Sequence, residues 1–419
     1  MKRFRQIVII TAVYPPEPQI TARMSFDLAC YLSEEHCSVT VVCPQPSRPL
    51  MANYDEYLGN NAPIVRVENG VTVVRLPSFS APQSRLLARM WESFSFGREV
   101  AKYLADKSKK PDVLYVNSWP LLAQGIIVRF AKKYSVPMVL QVMDIYPEAL
   151  TSKLPLFWRV LIYSPLKMLD AWIAGSAATV VVISENMRRT YIENRQIPVE
   201  SVTTIVTWQD EVLFENSVLR SVCCSRYGVS SKPFTFLFLG NIGPVAGVDF
   251  LIRAFAEADM ADTQLLIVGD GAAKLDCVKL VRQLNLSGVH FISDPDAANV
   301  PILQGMAHVC MLPMKRGMAM SSIPSKLPSY LFSGKPVIAT VDLNSDTAHF
   351  VQQAECGWVG ESEDLIWLVN KMREVSVLPT EQLEFFGKNG KKFGLMHFSK
   401  SSGVVRLANT VLRAAGVNV

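Results

Sequence analysis

Residues 236–255 read FLFLGNIGPVAGVDFLIRAF, and the pattern in this stretch recurs through most of the chain. An apolar run ends at Leu239, glycines follow at Gly240, Gly243 and Gly247, and an amphipathic helical pattern starts near Val248. A run that is apolar throughout predicts a strand buried on both faces, and a helix directly after it predicts a crossover to a parallel neighbour. The glycine spacing is G-x-x-G-x-x-x-G. It is not the dinucleotide fingerprint G-x-G-x-x-G with its acidic residue about twenty positions on, which argues against a dehydrogenase. Glycines here would let the backbone approach a phosphate, and the helix start adds partial positive charge. The same residues also suit a plain tight turn from strand to helix.

Downstream, strands are predicted over 264–268, 289–292, 308–312 and 336–340, with helices or loops between them. Upstream the same alternation gives strands at 7–11, 39–42, 71–76 (nearer an edge), 113–116, 137–143 and 178–184. Helices are expected over 22–33 and 121–133. The pattern weakens between Thr204 and Pro233, a polar stretch read as a connector. The expected organisation is a first α/β domain over 1–205, a connector over 206–233 and a second α/β domain over 234–395. A final helical part, 396–419, would return to the first domain. The fold class is therefore α/β, two Rossmann-like doubly wound domains facing across a cleft, where ligands gather at the carboxyl ends of strands.

Composition narrows the function. The chain has 419 residues, of which 49% are hydrophobic and 19% charged, which excludes a disordered protein. The net charge is +5, and the excess sits in the first 200 residues, which carry +6 with 23 Lys and Arg against 17 Asp and Glu. That is too mild for a nucleic-acid binder but suits an anionic acceptor or membrane surface. The eight cysteines show no metal-ligand spacing and read as reduced thiols of a cytoplasmic protein. No run of 18 apolar residues occurs, because Arg159, Lys167 and Asp170 interrupt the most apolar region.

Two stretches, 85–107 and 157–173, combine aromatic and basic residues. The first carries Trp91, Phe94, Arg85 and Arg89, the second Phe157, Trp158, Arg159 and Trp172. Such helices suit a membrane interface. They equally suit packing on a sheet with Arg and Lys snorkelling at the rim.

A second candidate for chemistry is LPMKRGMAMSSIPSKLPSYLFSGKPVIAT, from Leu312 on. Lys315, Arg316 and Lys326 could meet a diphosphate, and Ser321, Ser322 and Ser325 could donate from a loop and a helix start. Ser325 as a helix cap is the alternative for that serine.

Taken in order, these segments resemble glycosyltransferase family 4, of the GT-B fold, in its bacterial O-antigen and capsule branch. The resemblance rests on TAVYPPEPQITARMSFDLACYL, VLQVMDIYPEAL, VVVISENM, FLGNIG, IVGDG and IPSKLPSYLFSGKPVIA. It implies a retaining, hexosyltransferase-like transfer from a nucleoside diphosphate sugar, with UDP favoured, to a polysaccharide or lipid-linked sugar acceptor. It implies no cofactor and no metal. Asp294-Pro295-Asp296 is read as an ordinary loop. Partners would be the nucleotide-sugar donor, an oligosaccharide or lipid-linked acceptor and an anionic membrane at the inner face of the cell membrane, with no nucleic acid.

The resemblance also implies site roles. Gly240, Asn241, Ile242 and Gly243 would line the donor diphosphate, with Lys315, Ser325 and Lys326 on the phosphates. Gly269, Asp270 and Gly271 would sit on the nucleobase side. Asp144 and Lys326 would be catalytic, Asp144 beside the reacting sugar and Lys326 offsetting charge on the leaving diphosphate. Glu17, Gln19, Ile20 and Arg23 would form the loop below the donor. Asn117, Ser118 and Glu148 would face the acceptor or the sugar.

The chain departs from the family in the donor site. The two glutamates of the family's E-x7-E pair fall at Ser321 and Ser329, so Ser329 would have to serve the ribose. Losing the carboxylate forfeits a charge-assisted bond of about 1.5–3 kcal/mol. Pro244, Val245 and Ala246 stand where a polar or basic contact is common, and Gln19 and Ile20 replace small residues. These losses also admit a silent subunit that supports a partner glycosyltransferase.

Overall fold

The computed structural model describes residues 5–47, 54, 57, 62–80, 86–106, 110–117, 121–151, 155–216, 218–294, 296–320 and 323–417. The chain divides into two compact units. One comprises residues up to Thr207 together with those from Gly403 on, and the other runs from Trp208 to Ser402.

The first unit holds an eight-stranded sheet. Its strands are β1 (Gln6–Thr11), β2 (Ser38–Pro44), β3 (Ile64–Glu68), β4 (Val71–Leu76), β5 (Val113–Asn117), β6 (Met138–Val142), β7 (Thr179–Val182) and β8 (Val202–Thr204). Their order is β3-β4-β2-β1-β5-β6-β7-β8. All neighbours are parallel except β3 with β4. In the centre Ile9 of β1 pairs with Val41 on one side and Tyr115 on the other. The chain leaves β1 towards β2 and later returns to β1's other side as β5. The direction of winding therefore reverses between β1 and β5, the place where doubly wound sheets bind ligands.

The second unit repeats this logic. Its strands are β9 (Phe234–Leu239), β10 (Thr263–Val268), β11 (Val289–Ile292), β12 (Val309–Pro313), β13 (Val337–Val341) and β14 (Gly357–Glu361). Their order is β11-β10-β9-β12-β13-β14, and all neighbours are parallel. The reversal falls between β9 and β12. After β9, Gly247 takes a left-handed backbone at φ +64° and starts helix Val248–Ala258. Val248, Leu251, Ile252 and Phe255 recur at helical spacing and are buried against the sheet. Each contributes about 1.5–3 kcal/mol by leaving water.

The sequence reading missed β3, β8 and β14. β3 is an edge with Val65 and Val67 facing solvent, and β14 carries glycines, so neither shows an apolar run. The stretch 206–233, read as a connector, contains helix Arg220–Arg226. Arg220 ties it to the second unit by donating to the carbonyls of Met306 (2.9 Å) and Pro233 (2.9 Å). All eight cysteines are free thiols, six of them buried.

Candidate functional site

In the second unit the site is built from three loops and one helix. After β9 and β10 the chain turns through Gly240 (φ +137°) and Gly269 (φ +138°). A Cβ on Gly269 would stand 2.2 Å from the Gly240 carbonyl oxygen, so only glycine permits this approach. Gly271 (φ +155°) is closed in the same way, since its Cβ would meet the Asn241 side-chain oxygen at 2.5 Å. The backbone completes the lock. The Ile242 N–H donates to the Asp270 carbonyl (2.8 Å), and the Ala273 N–H to the Ile242 carbonyl (3.0 Å). Gly240–Gly243 and Gly269–Gly271 thus form one backbone surface. The Ile242 side chain does not line it but anchors it in the core. Asn241 is exposed, and its amide lies beside Gly243.

Lys326 lies across this surface. A Cβ on Gly240 would come within 2.5 Å of Lys326 Cε, and Nζ stands 4.8 Å from the Phe238 ring centroid. No carboxylate pairs with Lys326 among the described residues. Burial pulls its pKa below the ordinary lysine value. Helix Lys326–Phe332 is held in place by Tyr330, which is fully buried. Its phenol oxygen accepts from the Leu239 N–H (2.9 Å) at the end of β9 and lies 3.3 Å from the Met311 carbonyl in the middle of β12.

The remaining donor-side residues vary in what they offer. Ser325 precedes the helix without capping it through its side chain, and its carbonyl accepts from Gln209 (2.5 Å). Lys315 lies in the loop after β12, its N–H donating to the Val245 carbonyl (3.2 Å). Asp342 steadies that loop by accepting from the Gly317 N–H (2.8 Å). The Asp270 carboxylate is exposed and paired with Lys274 (2.7 Å), whose hydrogen bond holds its pKa below the usual range. Ser329 turns inward. Its hydroxyl accepts from buried Gln304 (2.8 Å) and donates to the Lys326 carbonyl (3.0 Å), so it is not offered to a ribose. Asp294 accepts from Tyr227 (2.6 Å), the Asp296 N–H (3.0 Å) and Asn299 (3.0 Å), which makes it part of a loop brace. Ser321 and Ser322 lie outside the described residues.

In the first unit the loops after β1, β5 and β6 carry the expected residues. Glu17 is buried and accepts from the Tyr14 N–H (3.4 Å) and the Ser47 N–H (3.0 Å), so its carboxylate braces its own loop. Gln19 sits at the start of helix Ile20–Glu34 without capping it, and its side-chain oxygen is buried with no partner among the described residues. Ile20 and Arg23 are exposed. Asn117 is buried at the end of β5, where its carbonyl accepts from the Ala12 N–H (3.0 Å). Ser118 lies outside the described residues. Asp144 is exposed just past β6.

Glu148 is bound within the unit. Arg195, fully buried, donates to Glu148 (2.6 Å), to Asp170 (2.8 Å) and to the Tyr146 carbonyl (2.8 Å). Burial pushes the Glu148 carboxyl up, but the hydrogen bond and charge of Arg195, a backbone hydrogen bond and the Tyr163 hydroxyl together outweigh it and leave the pKa below the ordinary value. Sequence reading missed Arg195, Gln304 and Tyr330. Only the aromatic Tyr330, four residues after Lys326 in helical spacing, had a local signal.

Comparison with known proteins fits this architecture. Residues 21–208 match the glycosyl transferase 4-like domain, and residues 225–393 match glycosyl transferases group 1. The chain is a glycosyltransferase, with one of these domains in each unit. It is similar to the probable glycosyltransferase WbjE of Pseudomonas aeruginosa, 22% identical over 72% of this chain and 74% of that one. It is also similar to the putative colanic acid biosynthesis glycosyl transferase WcaI of Escherichia coli, 23% identical over 89% and 93% of the two chains. HepE from Anabaena, solved in complex with UDP, superposes with a TM-score of 0.67 at 17% identity, covering 97% of this chain and all (100%) of that one. That likeness is to the fold, which is GT-B.

Proposed function

We propose that the protein transfers a sugar from a nucleoside diphosphate sugar, UDP-sugar favoured, to a polysaccharide or lipid-linked sugar acceptor, with retention at the anomeric carbon and without a metal. The observation that carries this reading is Lys326, a part-buried ammonium laid over the glycine surface with no carboxylate among the described residues. A desolvated cation without a counter-charge is costly, and a diphosphate would relieve that cost. The start of helix Val248–Ala258, close after Gly240–Gly243, adds positive potential. HepE, with the same fold, has been solved with UDP-glucose.

In this reading Lys326 offsets charge on the departing diphosphate. That phosphate takes the acceptor proton, and Asp144 orients the sugar. Lys315 reaches the phosphates from the loop after β12. The ribose contact is made by residues other than Ser329, whose hydroxyl is used internally.

Calorimetric titration with UDP, GDP, ADP and CDP tests the donor site. UDP is expected to bind and to raise the melting temperature. A folded protein that binds none of the four would sink the reading and favour a silent subunit. Turnover unchanged by both Asp144→Ala and Lys326→Ala would remove the assigned roles.

A further inference from the structure

We propose that the outward faces of helices Leu86–Asp106 and Leu156–Ala174 form a surface that seats in the interface of a lipid bilayer rich in anionic headgroups. A helix packed on a sheet ordinarily turns its apolar stripe inward and its polar residues to water. These two helices break that rule. In Leu86–Asp106, Glu92 and Ser93 are buried, while Trp91 is 56% exposed and Met90 and Phe94 face outward beside it. The Trp91 and Phe94 rings stack with centroids 5.4 Å apart. In Leu156–Ala174 the outward face carries Phe157 (72% exposed), Val160, Leu161 and Met168 (73%). They recur at helical spacing along one side, and the only acid of this helix, Asp170, is buried against Arg195.

The two faces belong to one layer. Helix Leu122–Lys133 lies between them. A Cβ on Gly97 would come within 2.7 Å of Ala123 Cα, and one on Gly125 within 3.8 Å of Leu169 and Trp172. The three helices connect β4 to β5, β5 to β6 and β6 to β7, all in the same direction across the sheet. Right-handed crossovers therefore place them on one side, each starting at the carboxyl ends of the strands. Trp91, Phe94, Phe157, Val160 and Leu161 lie in the first halves of their helices, at the end where Asn117 and Asp144 lie.

Charge selects the occupant. The three helices carry eight Lys and Arg against four Asp and Glu, and two of those acids, Glu92 and Asp170, are buried. Arg129, Lys132, Lys133 and Arg159 are exposed, and Lys132 Nζ stands 5.3 Å from the Trp172 ring centroid. Arg159 lies within the apolar patch, whereas Arg129, Lys132 and Lys133 lie towards the other end of the layer. An apolar patch on a layer of net positive charge matches acyl chains beneath anionic headgroups. A second copy of the chain, paired through the same face, would bring like charges together. No described helix is long and apolar enough to cross a membrane, which leaves an in-plane contact. If the acceptor is lipid-linked, as proposed above, this face would hold it near Asp144, but the surface itself does not depend on that.

Co-sedimentation with vesicles tests the proposal. The protein is expected to pellet with phosphatidylcholine vesicles containing one-third phosphatidylglycerol at low salt, less with pure phosphatidylcholine, and less as salt rises. Trp91→Glu with Phe94→Glu, and separately Phe157→Glu with Leu161→Glu, should each cut partitioning by about tenfold or more. The melting temperature should hold for the second pair, whose side chains are 72% and 57% exposed, and fall modestly for the first, since Phe94 is 36% exposed. Failure of the unaltered protein to pellet with the anionic vesicles at low salt overturns the proposal. So does binding that neither double variant reduces. A concentration-dependent dimer dissolved by the same substitutions, without vesicle binding, assigns the face to a second copy instead.

Discussion

Among the cations that the two units withdraw from water, Arg195 in the first and Lys326 in the second are treated in opposite ways. Arg195 is enclosed by Asp170, Glu148 and the Tyr146 carbonyl, so its charge is answered within the fold. Lys326 lies against a glycine surface and an aromatic ring with no described carboxylate. A buried charge answered internally is architecture, whereas one left open is held for a ligand. Arg195 therefore holds the loop after β6 through Tyr146 and Glu148, while Lys326 keeps its charge open, as the proposed donor role requires.

The largest test is Arg195→Leu. It strands Asp170 and Glu148 without their cation, and should cost about 3–5 kcal/mol in denaturant unfolding of the first unit. A loss below about 1 kcal/mol would break the comparison on that side. Lys326→Met should behave in the reverse manner. Stability should stay level or rise, because a desolvated charge is removed, while UDP affinity measured by calorimetry falls by about 1.5–3 kcal/mol. A clear loss of stability with unchanged affinity would make Lys326 a structural residue.

The smallest effect concerns pH. The Lys326 pKa is lowered in the folded protein, so the unfolded chain binds more protons between the lowered value and the ordinary lysine value. Its contribution to stability therefore rises with pH through that window. A bound diphosphate favours the charged form, so UDP binding should take up protons there and weaken as pH increases. Calorimetry in buffers of different ionisation enthalpy reads the uptake directly, and Lys326→Met should abolish it.

How much of this could be read from sequence follows from how local each signal is. The strand at 234–239, the glycines after it and the helix 326–332 were legible, because each is an apolar run or a spacing within a few residues. The backing of Gly269 onto Gly240 was not, since it joins loops nearly thirty residues apart. The direction of Ser329 was equally hidden. It depends on Gln304, on another helix 25 residues earlier. Arg195, Asp170 and Glu148 share no spacing at all and meet only after the sheet has formed. The aromatic helices were legible as basic and aromatic, but which side faced out was decided by Glu92 turning inward.

The residues from Gly403 on belong with the first unit, although the whole second unit is made before them. Val404, Leu407, Ala408 and Val411 are buried there, and Arg406 donates to the Thr204 carbonyl (2.9 Å). On the ribosome the usual order is thereby inverted. The second unit can finish while the first, though synthesised earlier, waits with an uncovered apolar surface for its last helix to emerge. The interval of greatest exposure to chaperones and proteases falls on the older half of the chain, and a stalled or clipped product would lack the part that closes it.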